Sequence, residues 1–502
     1  MAGSVIVIGA GIAGLATGVY ARLNGYDAEI FELHDKPGGV CTGWQRRGFT
    51  FEGCLHALAG TGKNSALRKI WRDLGVDFDS WPVIHHQELV RIEDESGKTM
   101  IMHTDPADLE AHLVGLSPVD ADLSRQFAGA VRRARGMDFF SAQMAGSAGM
   151  LRLLPYLPLV GKWGKVNLGQ FADQFKDPFL RRAMRLIQYS MPVVPSVVSM
   201  AFLAGMQDGD LGFPQGGSAA FARAIATRFT DLGGQLHYRA RVAKILTQSG
   251  RAVGIQLADG SEHHADTIVS AADGRSTIYD LLDGEFRDAK IDEYYTKRAP
   301  MGPQAFAVHV CFGVARQLPT DQHALVLLAA GGEADPAEMP EIAGTVRDHL
   351  DVEMYGFDPT LAPAGKSAIK VVLESDYDYW HEIRMRGIGE YRAEKDRTAQ
   401  SVLDWLEKRF PGIREQVEVT DVATPLTTER YTASYRGLQA WGASEAVSPI
   451  AKGFTRTLPG LAGFHMAGQW GEATIGISTA ATAGRRVVQQ LCRQDGRKFK
   501  SS

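Results

Sequence analysis

The strongest constraint on this chain lies in its first 32 residues. The apolar run Val5-Ile6-Val7-Ile8 leads directly into Gly9-Ala10-Gly11-Ile12-Ala13-Gly14, then into small and apolar residues sufficient for one helix, then into Ala28-Glu29-Ile30-Phe31 and Glu32. A strand, a glycine turn, a helix and a second strand in this order form a unit that holds a dinucleotide. Gly9 permits the tight turn, Gly11 lets the backbone approach a pyrophosphate, and Gly14 lets helix and strand pack closely. The helix N-terminus offers N–H groups and a positive dipole end to the phosphates. Glu32, about 20 residues beyond the glycines, is spaced to accept hydrogen bonds from a ribose 2′-hydroxyl. The same carboxylate repels a 2′-phosphate, so this half of the molecule selects FAD or NAD over NADP.

The residues just beyond Glu32 separate those two cofactors. In Asp35-Lys36-Pro37-Gly38-Gly39-Val40-Cys41-Thr42-Gly43 a second glycine pair arrives just after the ribose-binding strand, where the chain can pass beneath the same cofactor again. NAD domains do not usually need this second pass. The segment resembles the flavoprotein superfamily of phytoene desaturases, carotenoid isomerases, retinol saturases and amine oxidases, in which a glycine pair followed shortly by Thr lies beside FAD. The likeness recurs in Phe213-Pro214-Gln215-Gly216-Gly217-Ser218, in Gly233-Gly234-Gln235-Leu236, and from Gly254 through Ser270-Ala271-Ala272-Asp273. It returns at the C-terminal end in Gly463-Phe464-His465-Met466-Ala467-Gly468-Gln469, then Gly476-Ile477-Ser478-Thr479-Ala480 and Gly484. The resemblance implies an FAD site built from Gly9, Gly11, Ile12, Ala13, Gly14, Glu32, Leu33, Gly38, Gly39, Val40, Thr42, Val242, Gly468, Gln469, Gly476, Ile477 and Ser478.

These blocks stand at the start, middle and end of the chain, so the expected fold is α/β, with a discontinuous Rossmann-like FAD-binding domain over 1–75, 213–285 and 451–495. An α+β substrate domain is inserted, its helical part over 76–212 and its sheet-containing part over 286–450. In the second insertion, Ala305–Gly313 and Ser367–Leu373 read as strands, and Val402, Leu403, Leu406 and Phe410 fall at helical spacing. Cys41, Cys54, Cys311 and Cys492 are widely scattered and show no CxxC spacing, which indicates neither a disulfide framework nor a zinc site. A net charge of −4 gives no global reason to expect nucleic acid. The first strand begins almost at residue 1, leaving no room for a signal peptide, and no run of 18 or more apolar residues marks a membrane span. A cytoplasmic protein is expected.

Polarity changes abruptly between Phe139 and Val160. Phe139-Phe140, Met144, Met150-Leu151 and Leu153-Leu154-Pro155-Tyr156-Leu157-Pro158-Leu159-Val160 are bracketed by Arg132, Arg133 and Arg135 on one side and Lys162 and Lys165 on the other. Two readings fit: a peripheral contact with an anionic membrane, or a helical lid packed on the protein's own core. Both imply an apolar substrate passage.

The chemistry is less legible, because a flavin carries its own redox reactivity and the protein need only orient the substrate and tune the electronics. No Ser-His-Asp order, HExxH or paired-carboxylate motif stands out. Candidate acid–base residues are His56, in Phe51-Glu52-Gly53-Cys54-Leu55-His56, and Glu472, in Gly468-Gln469-Trp470-Gly471-Glu472. The first segment departs from the Phe-Asp-x-Gly pattern of the family, since Gly53 comes one position early. The resemblance implies an FAD-dependent oxidoreductase that desaturates, saturates or isomerises a long apolar isoprenoid or polyene, with an unknown electron acceptor. An amine oxidase-like flavoenzyme is a second enzymatic reading. A non-catalytic prenyl-binding carrier of the GDP-dissociation inhibitor type is a third, which the intact Gly9, Gly11, Gly14 and Glu32 oppose.

Overall fold

The computed structural model describes all residues except 1–2, 145–150, 296–306, 330–338, 440–454, 473–475 and 502. Its first sheet is wholly parallel and runs in the order Gln235–His237, Asp27–Phe31, Ser4–Ile8, Thr267–Ser270, Phe464–Met466. Its strands come from three separated stretches of chain, as the spacing of the dinucleotide blocks requires. Val5, Ile6, Val7 and Ile8 are all buried, because a parallel sheet is covered on both faces and its central strand needs apolar side chains throughout. Helix Ile12–Leu23 packs against helix Ile477–Gln494, joining the two ends of the chain. Their approach depends on Gly484, where an added Cβ would stand 2.5 Å from the Ala13 carbonyl oxygen and 2.7 Å from the Thr17 nitrogen.

The second domain is built on a seven-stranded sheet in the order Val417–Ala423, Ala307–Val314, Ser367–Glu374, His349–Met354, Ala324–Leu328, Glu88–Glu93, Thr99–His103. The region 76–212 is therefore not helical alone: it supplies the last two strands, with Leu325 and Arg91 in parallel register, and both insertions share one sheet. Alternation decides what each face does. Val308, Val310, Phe312, Leu350, Val352, Val371 and Leu373 form one core with Ala399, Val402, Leu403 and Leu406 of helix Ile388–Arg409. The intervening residues His309, Asp351, Glu353, Lys370 and Val372 turn to the opposite face, toward the first domain.

Among the described residues no helix is long and apolar enough to cross a membrane. Of the apolar stretch, residues 145–150 lie outside the described part. The remainder is divided: Leu153, Leu159 and Trp163 are buried, whereas Leu151, Leu154 and Leu157 are 65%, 54% and 51% exposed. Leu153 thus belongs to the core rather than to any surface contact.

Candidate active site

A cavity of about 950 Å³ runs from the carboxyl ends of the parallel strands to the polar face of the large sheet. That is the upper end of the usual range for small-molecule sites, about 300–1,000 Å³, and the end of the sheet where α/β folds bind ligands. Gly9, Gly11, Ile12 and Ala13 line it, as do Glu32, Leu33, Gly38, Gly39, Val40 and Val242, and from the C-terminal block Gly468, Gln469, Gly476 and Ile477. Gly14, Thr42 and Ser478 stand outside the lining. Gly14 acts through packing: a Cβ there would fall 1.9 Å from the Gly9 carbonyl oxygen, so any side chain would force the turn open.

Two helix N-termini face this cavity, at Gly11 and Gly476, and neither is capped by a side chain. Uncapped N–H groups and a positive dipole end suit a pyrophosphate or another electron-rich ligand group. The second glycine pair lies against the first turn, with the Gly38 N–H donating to the Ala10 carbonyl at 2.9 Å. A Cβ on Gly39 would come within 3.3 Å of the Gly11 Cα. Glu32 is buried, and its carboxylate accepts from the Ala10 N–H at 2.6 Å and the His34 N–H at 2.8 Å. Burial pushes its pKa up against the pull of those N–H groups. The carboxylate is thereby locked at the strand end with lone pairs to spare for ribose hydroxyls. All these features fit FAD.

Farther along the cavity is a cluster of ionisable groups. Glu353 and Lys370 are directly opposite on adjacent strands, 3.0 Å apart, with side-chain exposures of 14% and 2%. The Tyr355 hydroxyl donates to Glu353 as well, and the His56 Nδ1 lies 3.3 Å from its other oxygen. Burial alone would raise the pKa of Glu353, but His56, Lys370 and the Tyr355 hydrogen bond hold it well below the usual carboxylate range. Burial likewise disfavours the Lys370 ammonium, and Glu353 more than restores it. Nearby, burial and Lys370 push His309 down to about 3, so its imidazole is neutral at ordinary pH.

The segment bearing His56 is held by Glu52. Its carboxylate accepts from the backbone N–H groups of Cys54 at 2.8 Å, Leu55 at 2.9 Å and Ser218 at 2.7 Å. The acid in the atypical Phe51-Glu52-Gly53 stretch therefore fastens the loop that presents His56 to the cavity. Glu472 is placed otherwise. It pairs with both Arg456 and Arg486 and lies outside the cavity lining, so the structure does not bring it together with His56. Sequence reasoning missed Glu353 and Lys370. The signal that could have found them was charge inside two otherwise apolar strands: Asp351 and Glu353 in Leu350-Asp351-Val352-Glu353-Met354, and Lys370 in Ala368-Ile369-Lys370-Val371-Val372.

A split parallel sheet, a double glycine cradle and a second sheet closing a long cavity define a dinucleotide-binding flavoprotein. Residues 12–492 match the family of flavin containing amine oxidoreductases, and the chain belongs to that family as an FAD-dependent oxidoreductase. Its relatives include the chloroplastic prolycopene isomerase of Arabidopsis thaliana, 27% identical over 455 residues that span 86% of this chain and 73% of the relative. A lycopene-forming phytoene desaturase of Pseudescherichia vulneris is 26% identical over 441 residues, 84% of this chain and 85% of its own. An oxidoreductase from Methanosarcina mazei shares the fold, with a TM-score of 0.61 at 19% identity, covering 97% of this chain and 100% of that one.

Proposed function

We propose that this oxidoreductase acts on the carbon–carbon double bonds of a long apolar isoprenoid or polyene, by desaturation, saturation or isomerisation. The observation that carries this reading is the continuity of the cavity: the space beside the glycine cradle extends between Leu186, Ile187, Met206, Phe213, Leu325 and Val326 without a dividing wall. Apolar walls of this length favour a hydrocarbon chain, each buried CH₂ contributing about 0.8 kcal/mol. The naming of two relatives as a prolycopene isomerase and a phytoene desaturase supports the same substrate class.

When bound, FAD supplies a two-electron redox centre. The two glycine turns and Glu32 hold it, and the helix N-termini at Gly11 and Gly476 favour its electron-rich groups. The apolar walls orient the substrate and exclude water. Lys370 and Glu353 form a neutral pair, so the cavity carries polar groups at one place without net charge from that pair. The amine oxidase reading has less support, since the relatives named above are a prolycopene isomerase and a phytoene desaturase and the Glu353 carboxylate is already paired with Lys370. Leu151, Leu154 and Leu157 serve as a peripheral contact with an anionic membrane in this reading. The segment Leu186–Val193 supports it: Leu186, Ile187 and Met191 line the cavity while Val193 is exposed, so cavity wall and apolar surface meet on one piece of chain.

The test is product analysis. Holoenzyme is incubated anaerobically with an acyclic polyene in liposomes, with its flavin either oxidised or reduced, and the lipid extract is separated by chromatography. Conversion to a polyene of altered unsaturation or geometry is expected. Turnover of primary amines with the polyene untouched would sink the proposal.

A further inference from the structure

The cavity holds one histidine whose ring both lines the space and rests on a buried carboxylate. His56 is 38% exposed, its ring lies 4.6 Å from that of Tyr189, and its Nδ1 faces Glu353. An ionised carboxylate only accepts hydrogen bonds, so Nδ1 must carry the proton in that contact and Nε2 is left as the basic nitrogen of the neutral ring. Lys370 and Tyr355 both meet the other carboxylate oxygen, which favours the ionised, accepting state of Glu353. The loop cannot swing away easily, because Glu52 ties three backbone N–H groups around it.

We infer that Glu353 is a positioning residue that fixes the tautomer and aim of His56, and that His56 Nε2 is the group exchanging a proton with substrate carbon. The inference rests on the proposed function for the identity of the carbon. Dehydrogenation removes two hydrogens from adjacent carbons. One leaves with its electron pair to the flavin; the other passes as a proton to Nε2, and the C–H electrons it leaves behind become the new double bond. In the opposite direction the imidazolium returns that proton. A carboxylate backing a histidine holds its tautomer and orientation, and a well-placed general base contributes about 10²–10⁴-fold.

The charged and titratable groups around His56 come from several elements: Asp351 and Glu353 on one strand, Lys370 on the next, His309 on a third, and His323 just before the strand Ala324–Leu328. Glu52 adds a carboxylate from the loop itself. Among these, Glu353 is the one in contact with Nδ1, so its removal has the most direct effect.

The experiment uses holoenzyme labelled with ¹³C and ¹⁵N in histidine, with the His56 signal assigned from His56→Asn. The wild type is expected to show the Nδ1–H tautomer at neutral pH, and Glu353→Gln to lose that preference. Because Glu353→Gln leaves the Lys370 charge buried and unpaired, Glu353→Gln/Lys370→Met serves as the second variant. In single turnovers followed at the flavin with whichever substrate reduces it, His56→Asn should slow the step about 10²–10⁴-fold. In the same assay both carboxylate variants should lose rate in step with their loss of the Nδ1–H tautomer. An Nε2–H tautomer in the wild type would overturn the inference, as would a rate loss in both carboxylate variants with the Nδ1–H tautomer retained. Failure of the polyene alone, with the tautomer as expected, would count against the substrate class and leave the dyad standing.

Discussion

Glu32 illustrates how one side chain performs two tasks. It accepts backbone N–H groups from the glycine turn and from the chain beyond it, and it faces the cavity where a ribose would lie. Glu32→Ala should therefore weaken FAD retention by about 1.5–3 kcal/mol, the worth of a hydrogen bond to a charged group. Ultrafiltration of flavin from holoenzyme measures this, and unchanged retention would count against the assignment. Asp210 carries a different liability. Burial, and then the neighbouring Asp138 carboxylate, push its pKa up to about 7. In the unfolded chain the group ionises near pH 4, so between roughly pH 4 and 7 the folded state binds the extra proton and stability falls as pH rises. Asp210→Asn should raise the unfolding midpoint by about 1–3 °C near pH 8 and change it little near pH 5. An equal effect at both pH values would contradict the buried-carboxylate account. The dinucleotide residues were legible from sequence because each requirement is local: a turn, a close approach, a strand end, at set spacing along one stretch of chain. Glu353 and Lys370 were not, since they meet only through register between strands joined by a connection the sequence does not dictate. Glu472 misled for the opposite reason. Its block matches the family, yet Arg456 and Arg486 claim its carboxylate.

At the level of elements, the parallel strands and their helices were readable because buried parallel strands leave continuous apolar runs. The strands Glu88–Glu93 and Thr99–His103 escaped notice because they are short and sit before a long helical region, and the first joins the sheet through a strand more than 200 residues away in sequence. Cys54 is near enough to Cys41 to push its thiol pKa up, although the cysteine spacing suggests no such proximity; the hairpin of Gly43–Arg46 with Phe49–Glu52 folds their flanks together. The apolar stretch proved amphipathic, with Leu153 and Leu159 inward and Leu151, Leu154 and Leu157 outward. If the outward face meets lipid, replacing these three by Ser should release the protein from anionic liposomes while leaving its unfolding midpoint nearly unchanged, since no core contact is lost. Each leucine contributes up to about 1.5–3 kcal/mol when buried in an apolar phase. Sedimentation that is identical for wild type and triple variant would rule out this face as the contact.

On the scale of the whole molecule, two sheets joined by a continuous apolar core enclose one cavity: a parallel sheet brings the glycine cradle to one end, and the alternate residues of a second sheet bring the ionisable cluster to the other. This division places redox chemistry on the cofactor side and leaves recognition of the hydrocarbon to the walls between. The central claim is that polyene and flavin occupy this single space, and the most direct test is an anaerobic titration of the holoenzyme with an acyclic polyene while the visible absorption of the flavin is recorded. The account predicts a saturable perturbation of the flavin band, because the bound chain displaces water beside the ring. A polyene that binds, as shown by its own altered spectrum, yet leaves the flavin band unchanged at saturation would contradict it.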